Sequence, residues 1–427
     1  MLAAWIPLAL SFELMVMEGP VLQGAIGRLG GSEVNLAAWG LTMSLAMLVE
    51  SPVILLLATS IALVRNRDSF RALWNFMVGL NLVCTVLAAI LAYTPLLDIV
   101  AGQWMGQPPE LIEASRPALK IMILFTALVG WRRFYQGVLI RAGKNRLVTL
   151  GTAVRLVALA GVAVLLAKTG TLPGVEVAAW GLMAGLLVEG AITTVFTLPV
   201  IRNLPPRLED TPPLTQRSIM RFHTPLAATT LLPLLAGPLT MTALAQMPDK
   251  QQTLAAWPVV FMILLILRGF GLTLQEVTVA HLKDDPRAEA ALYRFAVWVG
   301  AITTGIVFLV ALTPLLRLYM NDVLNSPHSL WGYIREGVLW GAAAPLLTAL
   351  SAWARGGHVA HGRTALVYQA MMVSLVVQAV LLVLGIVLHL PGMPAASFAF
   401  TGALLAEYLY LVRHQKSLSP ATPVTAE

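Results

Sequence analysis

Leu36-Ala37-Ala38-Trp39 recurs 218 residues later as Leu254-Ala255-Ala256-Trp257, and this recurrence decides the architecture. Working outward at the same offset, Pro7-Leu8-Ala9 returns as Pro225-Leu226-Ala227 and Gly19-Pro20 as Gly237-Pro238. Further on, Thr94-Pro95-Leu96-Leu97 returns as Thr313-Pro314-Leu315-Leu316, Gly143-Lys144 as Gly362-Arg363, and Leu172-Pro173-Gly174 as Leu390-Pro391-Gly392. Leu186-Leu187-Val188-Glu189 returns as Leu404-Leu405-Ala406-Glu407. Isolated Leu and Ala matches are cheap, but an ordered series within one residue of a single offset marks an internal duplication.

The composition places that duplication in a bilayer. Charged residues are 11% and hydrophobic residues 58% of the 427, where soluble domains carry about 25% charge. Apolar runs recur along the whole length, each long enough to span about 30 Å of hydrocarbon. Twelve transmembrane helices are expected, six in each half, the fourth over 117–140 and the tenth over 336–354. The N-terminal stretch carries Glu13 and Glu18 and lacks the basic region of a cleaved signal, so it reads as a retained first helix. Longer amphipathic connections are expected at 98–115 and at 317–335.

Of the 28 Lys and Arg, seventeen fall on the side that carries both termini, which the positive-inside rule makes cytoplasmic. The net charge of +7 then reflects topology and anionic headgroups, and nucleic-acid binding has no support. An even number of crossings per half makes the repeats parallel, related by a pseudo-twofold axis along the membrane normal, with substrate expected between them. The expected fold is therefore an all-α integral membrane protein in an inner or plasma membrane. Its parts are an N-terminal six-helix lobe (1–201), a proline-rich linker (202–216), a C-terminal six-helix lobe (217–413) and a tail (414–427), in a monomer. The lone Cys84 lies in an apolar run and reads as core.

Ionised groups near mid-bilayer cost a few kcal/mol, so they normally face the bundle interior and mark function. Glu13 lies midway along the first helix, and Glu18 precedes Gly19-Pro20, where proline removes a helix hydrogen bond. These two are the candidates for carrying a coupling ion. Glu50, before Ser51-Pro52, has Arg268 as its repeat counterpart; on opposite lobes the two are expected to face each other across the axis. Arg132, Arg133, Arg155 and Glu189 share a depth, and the repeat replaces the arginines with Ser351, Ala352 and Ser374. A cationic layer confined to the N-terminal lobe is expected, suited to a carboxylate or phosphate. Substrate binding is assigned to Arg268, Glu50, Arg132 and Arg155, coupling to Glu13 and Glu18, and gating or structure to Arg133, Glu189 and Glu276. The last is close enough to a helix end to snorkel. His358 and His361 are read as part of a solvated loop, with no catalytic, metal or cofactor site. An intramembrane enzyme would need nucleophile, base or metal ligands at one depth, whereas the deep groups here are carboxylates and guanidiniums.

Two stretches resemble a known family. Leu36 to Leu45, continuing through Glu50-Ser51-Pro52 to Val64-Arg65-Asn66-Arg67-Asp68, resembles the second helix and following loop of the progressive ankylosis branch of the MOP exporter superfamily, which includes the MATE transporters. Leu390-Pro391-Gly392 through Glu407 resembles its last helix. The resemblance implies an alternating-access exporter with a cavity lined by helices 1, 2, 7 and 8, an acidic coupling residue in helix 1 (Glu13 or Glu18) and a proton or sodium ion as coupling ion. It also implies organic or phosphate-bearing anions as substrates. Efflux of cationic amphipathic compounds and flipping of lipid-linked saccharides are the alternatives.

Overall fold

The computed structural model describes residues 1–206 and 213–415. The expected linker and tail fall partly on 207–212 and 416–427, which with Arg207 and Lys416 lie outside the described residues. Among the described residues the chain is helical, and eleven helices are long and apolar enough to cross a membrane.

In chain order α1 is Leu2–Val16 continuing as Glu18–Gly27, α2 is Ser32–Ile54 continuing as Leu56–Leu63, and α3 is Arg67–Tyr93. A π-helical turn, Asp98–Trp104, leads into α4, formed by Pro109–Ile121 and Phe125–Arg141. Next come α5 (Asn145–Thr169) and α6 (Gly174–Arg202). The second half repeats the series: α7 (Gln216–Leu244), α8 (Lys250–Leu272 and Leu274–Asp284), α9 (Glu289–Leu312), a π-helical turn at Tyr319–Val323, α10 (Trp331–Trp340 and Ala344–Ala360), α11 (Thr364–Val387) and α12 (Gly392–Gln415). The helix outside the eleven is α4, whose Arg116, Lys120, Arg132, Arg133 and Arg141 dilute its apolar character. It begins at Pro109, ahead of the expected 117, because proline is well placed in a first helical turn. The tenth helix continues past 354 to Ala360, so His358 belongs to a helix and is buried, its Nε2 3.0 Å from the Leu411 carbonyl. The solvated-loop reading fails there.

The duplication is visible in the backbone. Among the described residues, all those with positive φ form four pairs at the repeat offset: Gly31 with Asp249, Gly106 with Asn325, Gly143 with Gly362, and Gly170 with His389. The turn geometry persists even where glycine, which adopts it without strain, has been replaced.

The same twofold relation governs how the halves meet. Gly40 of α2 lies against Pro258 of α8, its own repeat counterpart, with room for no Cβ: one built there would stand 2.4 Å from the proline ring. On either side of that axis Gly19 of α1 faces Met262 of α8, and its counterpart Gly237 of α7 faces Ser44 of α2. Leu36, Ala37, Ala38 and Trp39 are buried along this crossing, as are Leu254, Ala255, Ala256 and Trp257. The first helix of each half thus lies on the second helix of the other.

Candidate functional site: two buried charge centres and the interface between them

In the N-terminal lobe, small residues bring α6 onto α5. A Cβ on Gly185 would meet the Arg155 carbonyl at 3.1 Å, and one on Gly181 the Leu159 carbonyl at 3.3 Å, the close approach that glycine allows between membrane helices. One turn past Gly185, Glu189 is 0% exposed and carries a full set of partners. Its Oε2 pairs with Arg132 Nη1 at 3.0 Å and Arg155 Nε at 3.3 Å. Its Oε1 accepts from Gln136 Nε2 and Thr152 Oγ1, each at 3.0 Å. Arg155 Nη2 reaches on to Glu18 Oε2 of α1 at 3.2 Å. Glu50 of α2 is buried in the same lobe, and its Oε2 has no hydrogen-bond partner. Arg132 and Arg155 are therefore met by Glu189 and Glu18, and no ion pair holds Arg133 or Glu50 among the described residues. By count the expected excess of positive charge in this lobe is absent, because Glu18 joins the centre through Arg155 and Glu50 is buried in the same lobe.

Arg268 does not face Glu50, and no ion pair joins them among the described residues. Gly271 seats α8 on α10, where a Cβ would meet the Ala349 amide at 3.0 Å, and this turns Arg268 into the C-terminal lobe. Its Nε donates to Thr348 Oγ1 at 2.7 Å, and its guanidinium carbon lies 4.6 Å from the centre of the Phe400 ring. One turn below Ser351, Arg355 Nε pairs with Glu407 Oε1 at 3.3 Å. This second centre escaped the sequence reading. Arg355 is one of the seventeen cations that the positive-inside count places at the cytoplasmic side, yet its pairing follows the repeat: Arg355 matches Gln136 and Glu407 matches Glu189, which also touch. Charge is thus not confined to the N-terminal lobe.

Between the lobes stands Glu13. It is 9% exposed, and neither carboxyl oxygen has a hydrogen-bond partner. Its Oε1 lies on Gly269, 2.1 Å from where a Cβ would sit, so only glycine leaves it room. Near it Trp5 Nε1 donates to the Phe270 carbonyl at 3.0 Å. On the other pair of helices, the break after Pro52 presents carbonyls to α7: Thr230 Oγ1 donates to Ser51 at 2.7 Å and His223 Nε2 to Pro52 at 2.7 Å. His223 Nδ1 is 2.8 Å from Thr59 Oγ1. His223 is a buried interface residue that sequence patterning passed over, and with His358 it corrects the expectation that no deep group is a histidine. Glu276 is exposed on the flank of α8, in keeping with its helix-end position. No metal-ligand cluster occurs among the described residues.

No known protein family and no curated protein matches the sequence. Solved structures do match. A multidrug resistance MATE family transporter of the MOP superfamily, in an inward-facing conformation, superposes with a TM-score of 0.69 at 14% identity, over 96% of each chain. The lipid II flippase MurJ, in an inward closed conformation, gives 0.75 at 13% identity, over 96% of this chain and 88% of that one. The chain has the fold of these transporters. A third MOP transporter, from Pyrococcus furiosus, gives 0.68 at 14% identity over 97% of this chain and 96% of that one, and is described by a reversed polarity of its binding pocket. The expected MATE-like architecture of two six-helix repeats therefore stands. At these identities the likeness is one of fold.

Proposed function

We propose that the chain is an ion-coupled secondary active transporter that exports small organic or phosphate-bearing anions by alternating access. The observation that carries the reading is Arg268: a guanidinium only 9% exposed with no acidic side chain in ion-pair contact among the described residues. A charge so placed is stabilised further when a counter-ion joins it, and an anionic substrate supplies one. Arg132 and Arg155, assigned to substrate from sequence, already hold carboxylates, so in this reading they and Arg133, Glu50 and Glu189 hold the N-terminal lobe together.

Coupling is assigned to Glu13. Of the two acids in α1, Glu18 is committed to Arg155 while Glu13 has no partner and lies at the lobe interface. A proton or sodium ion there would neutralise the carboxylate and alter how tightly α1 seats on α8. Each ion released on one side and each anion released on the other would then accompany one rocking of the lobes. We place both termini in the cytoplasm, from the arginine-rich loops, and the lobe boundaries at 201 and 217. The progressive ankylosis resemblance is kept as the proposed branch.

A test is Glu13→Gln in proteoliposomes, where the variant should retain anion exchange between equal pH on both sides but lose acceleration by a pH or sodium gradient. Gradient-driven flux equal to that of the parent protein would remove Glu13 from coupling. Flipping of a lipid-linked saccharide is the second reading, favoured by the similarity to MurJ; it requires flux of an undecaprenyl-linked probe that Arg268→Gln does not affect.

A further inference from the structure

The charge balance and the ring contacts at Arg268 narrow the anion that it would take, given the site proposed above. In the C-terminal lobe Glu407 is matched by Arg355 at 3.3 Å. Arg268 is then the guanidinium of this centre with no acid in ion-pair contact among the described residues. The Arg268 guanidinium has one edge committed, through Nε to Thr348 Oγ1 at 2.7 Å, and one face covered by Phe400. The remaining edge, with Nη1 and Nη2, presents the two parallel N–H donors that suit a single carboxylate.

Aromatic rings continue from that point. Phe400 stands 6.0 Å from Phe261 and 6.4 Å from Trp257, ring centre to ring centre. Phe261 is only half-buried. Such a surface favours an apolar or aromatic body and offers nothing to a second or third anionic group. A polyanion would bring charges that no guanidinium of this centre remains free to meet, and an unmatched buried charge costs several kcal/mol.

We propose that the site takes a monoanionic, amphipathic carboxylate, its head on the Nη edge of Arg268 and its apolar body against Phe261 and Phe400. Arg268 sets the sign and number of charges, and the two phenylalanines set the preference for an apolar body.

The test is calorimetric binding to the purified full-length protein with 1-naphthoate, citrate and inorganic phosphate as probes. Naphthoate should bind at least about a hundredfold more tightly than citrate or phosphate, the equivalent of one unmatched buried charge. Phe400→Leu should weaken naphthoate roughly two- to tenfold, as loss of an aromatic contact does. Arg268→Gln should abolish naphthoate binding. Arg268→Lys, which keeps the charge without the fork, should bind it at intermediate strength and shows that the site is still formed. Citrate or phosphate binding as tightly as naphthoate, and lost in Arg268→Gln, would overturn the monoanion inference and leave the anion site standing. Naphthoate binding unchanged in Arg268→Gln, or no binding of any of the three anions, would overturn both.

Discussion

Glu189 holds two guanidiniums, an amide and a hydroxyl with one carboxylate. Removing it strands Arg132 in the lobe interior and leaves Arg155 with Glu18 alone, and breaking a buried pair in this way costs about 3–5 kcal/mol. Glu189→Ala should therefore lower the thermal midpoint of the purified protein far more than Glu276→Ala, whose side chain is exposed; equal shifts would show that the centre is not structural. Sequence placed Arg132, Arg155 and Glu189 at one depth because helical rise converts residue count into depth. Partners were harder to read. Glu18 sits on another helix, and only the packing of α1 brings its carboxylate to Arg155. Arg355 was missed for the opposite reason: near a helix end, an arginine that pairs inward has the same sequence signature as one that reaches for headgroups.

At the scale of elements, the repeat predicted more than helices. The left-handed turns recur in register, with Gly170 in one half and His389 in the other. A side chain there costs about 1–2 kcal/mol, so His389→Gly should raise the thermal midpoint by a few degrees and Gly170→His should lower it; unchanged midpoints would mean that these turns carry no strain. Breaks were legible where proline marked them, as at Pro52, whose neighbouring carbonyls are taken up by Thr230 and His223. The early start of α4 was not. Arg116, Pro117 and Lys120 resemble a loop in composition, and the helix there is maintained by burial of Leu111, Ile112, Ser115 and Leu119 on one face, a periodicity that the charges conceal.

At the scale of the whole molecule, the lobes are joined on the arginine-poor side by a contact between the end of α1 and the π-helical turn of the other lobe. Arg28 donates through Nη1 to the Val323 carbonyl at 2.9 Å and through Nη2 to the Asp322 carbonyl at 3.0 Å, and Asn325 Nδ2 donates to the Gly27 carbonyl at 3.0 Å. Glu33 and Ser329 meet beside them. The related turn of the first lobe does the same to α7, through Gln107 Nε2 and the Met241 carbonyl at 2.9 Å. A Cβ on Gly27 would come within 1.9 Å of the Leu324 carbonyl oxygen, a backbone atom that cannot yield. Gly27→Val should thus push the lobes apart on this side, seen as a longer distance between spin labels at Gly30 and His328; an unchanged distance would mean that this contact does not hold the lobes closed. Symmetry was readable from the repeat. What the repeat concealed was that each lobe keeps a charge centre of its own, and that Arg268 stands in the second without an acid in ion-pair contact among the described residues.

Proteoliposomes holding the purified protein as their only component give the most direct measurement: uptake of a radiolabelled organic anion, with and without an imposed proton or sodium gradient, in parent and Arg268→Gln protein. Accumulation that requires the gradient and is lost in Arg268→Gln is the expected result. Absence of gradient-dependent flux of any organic anion, or flux that survives loss of Arg268, would contradict an ion-coupled anion transporter built on this site.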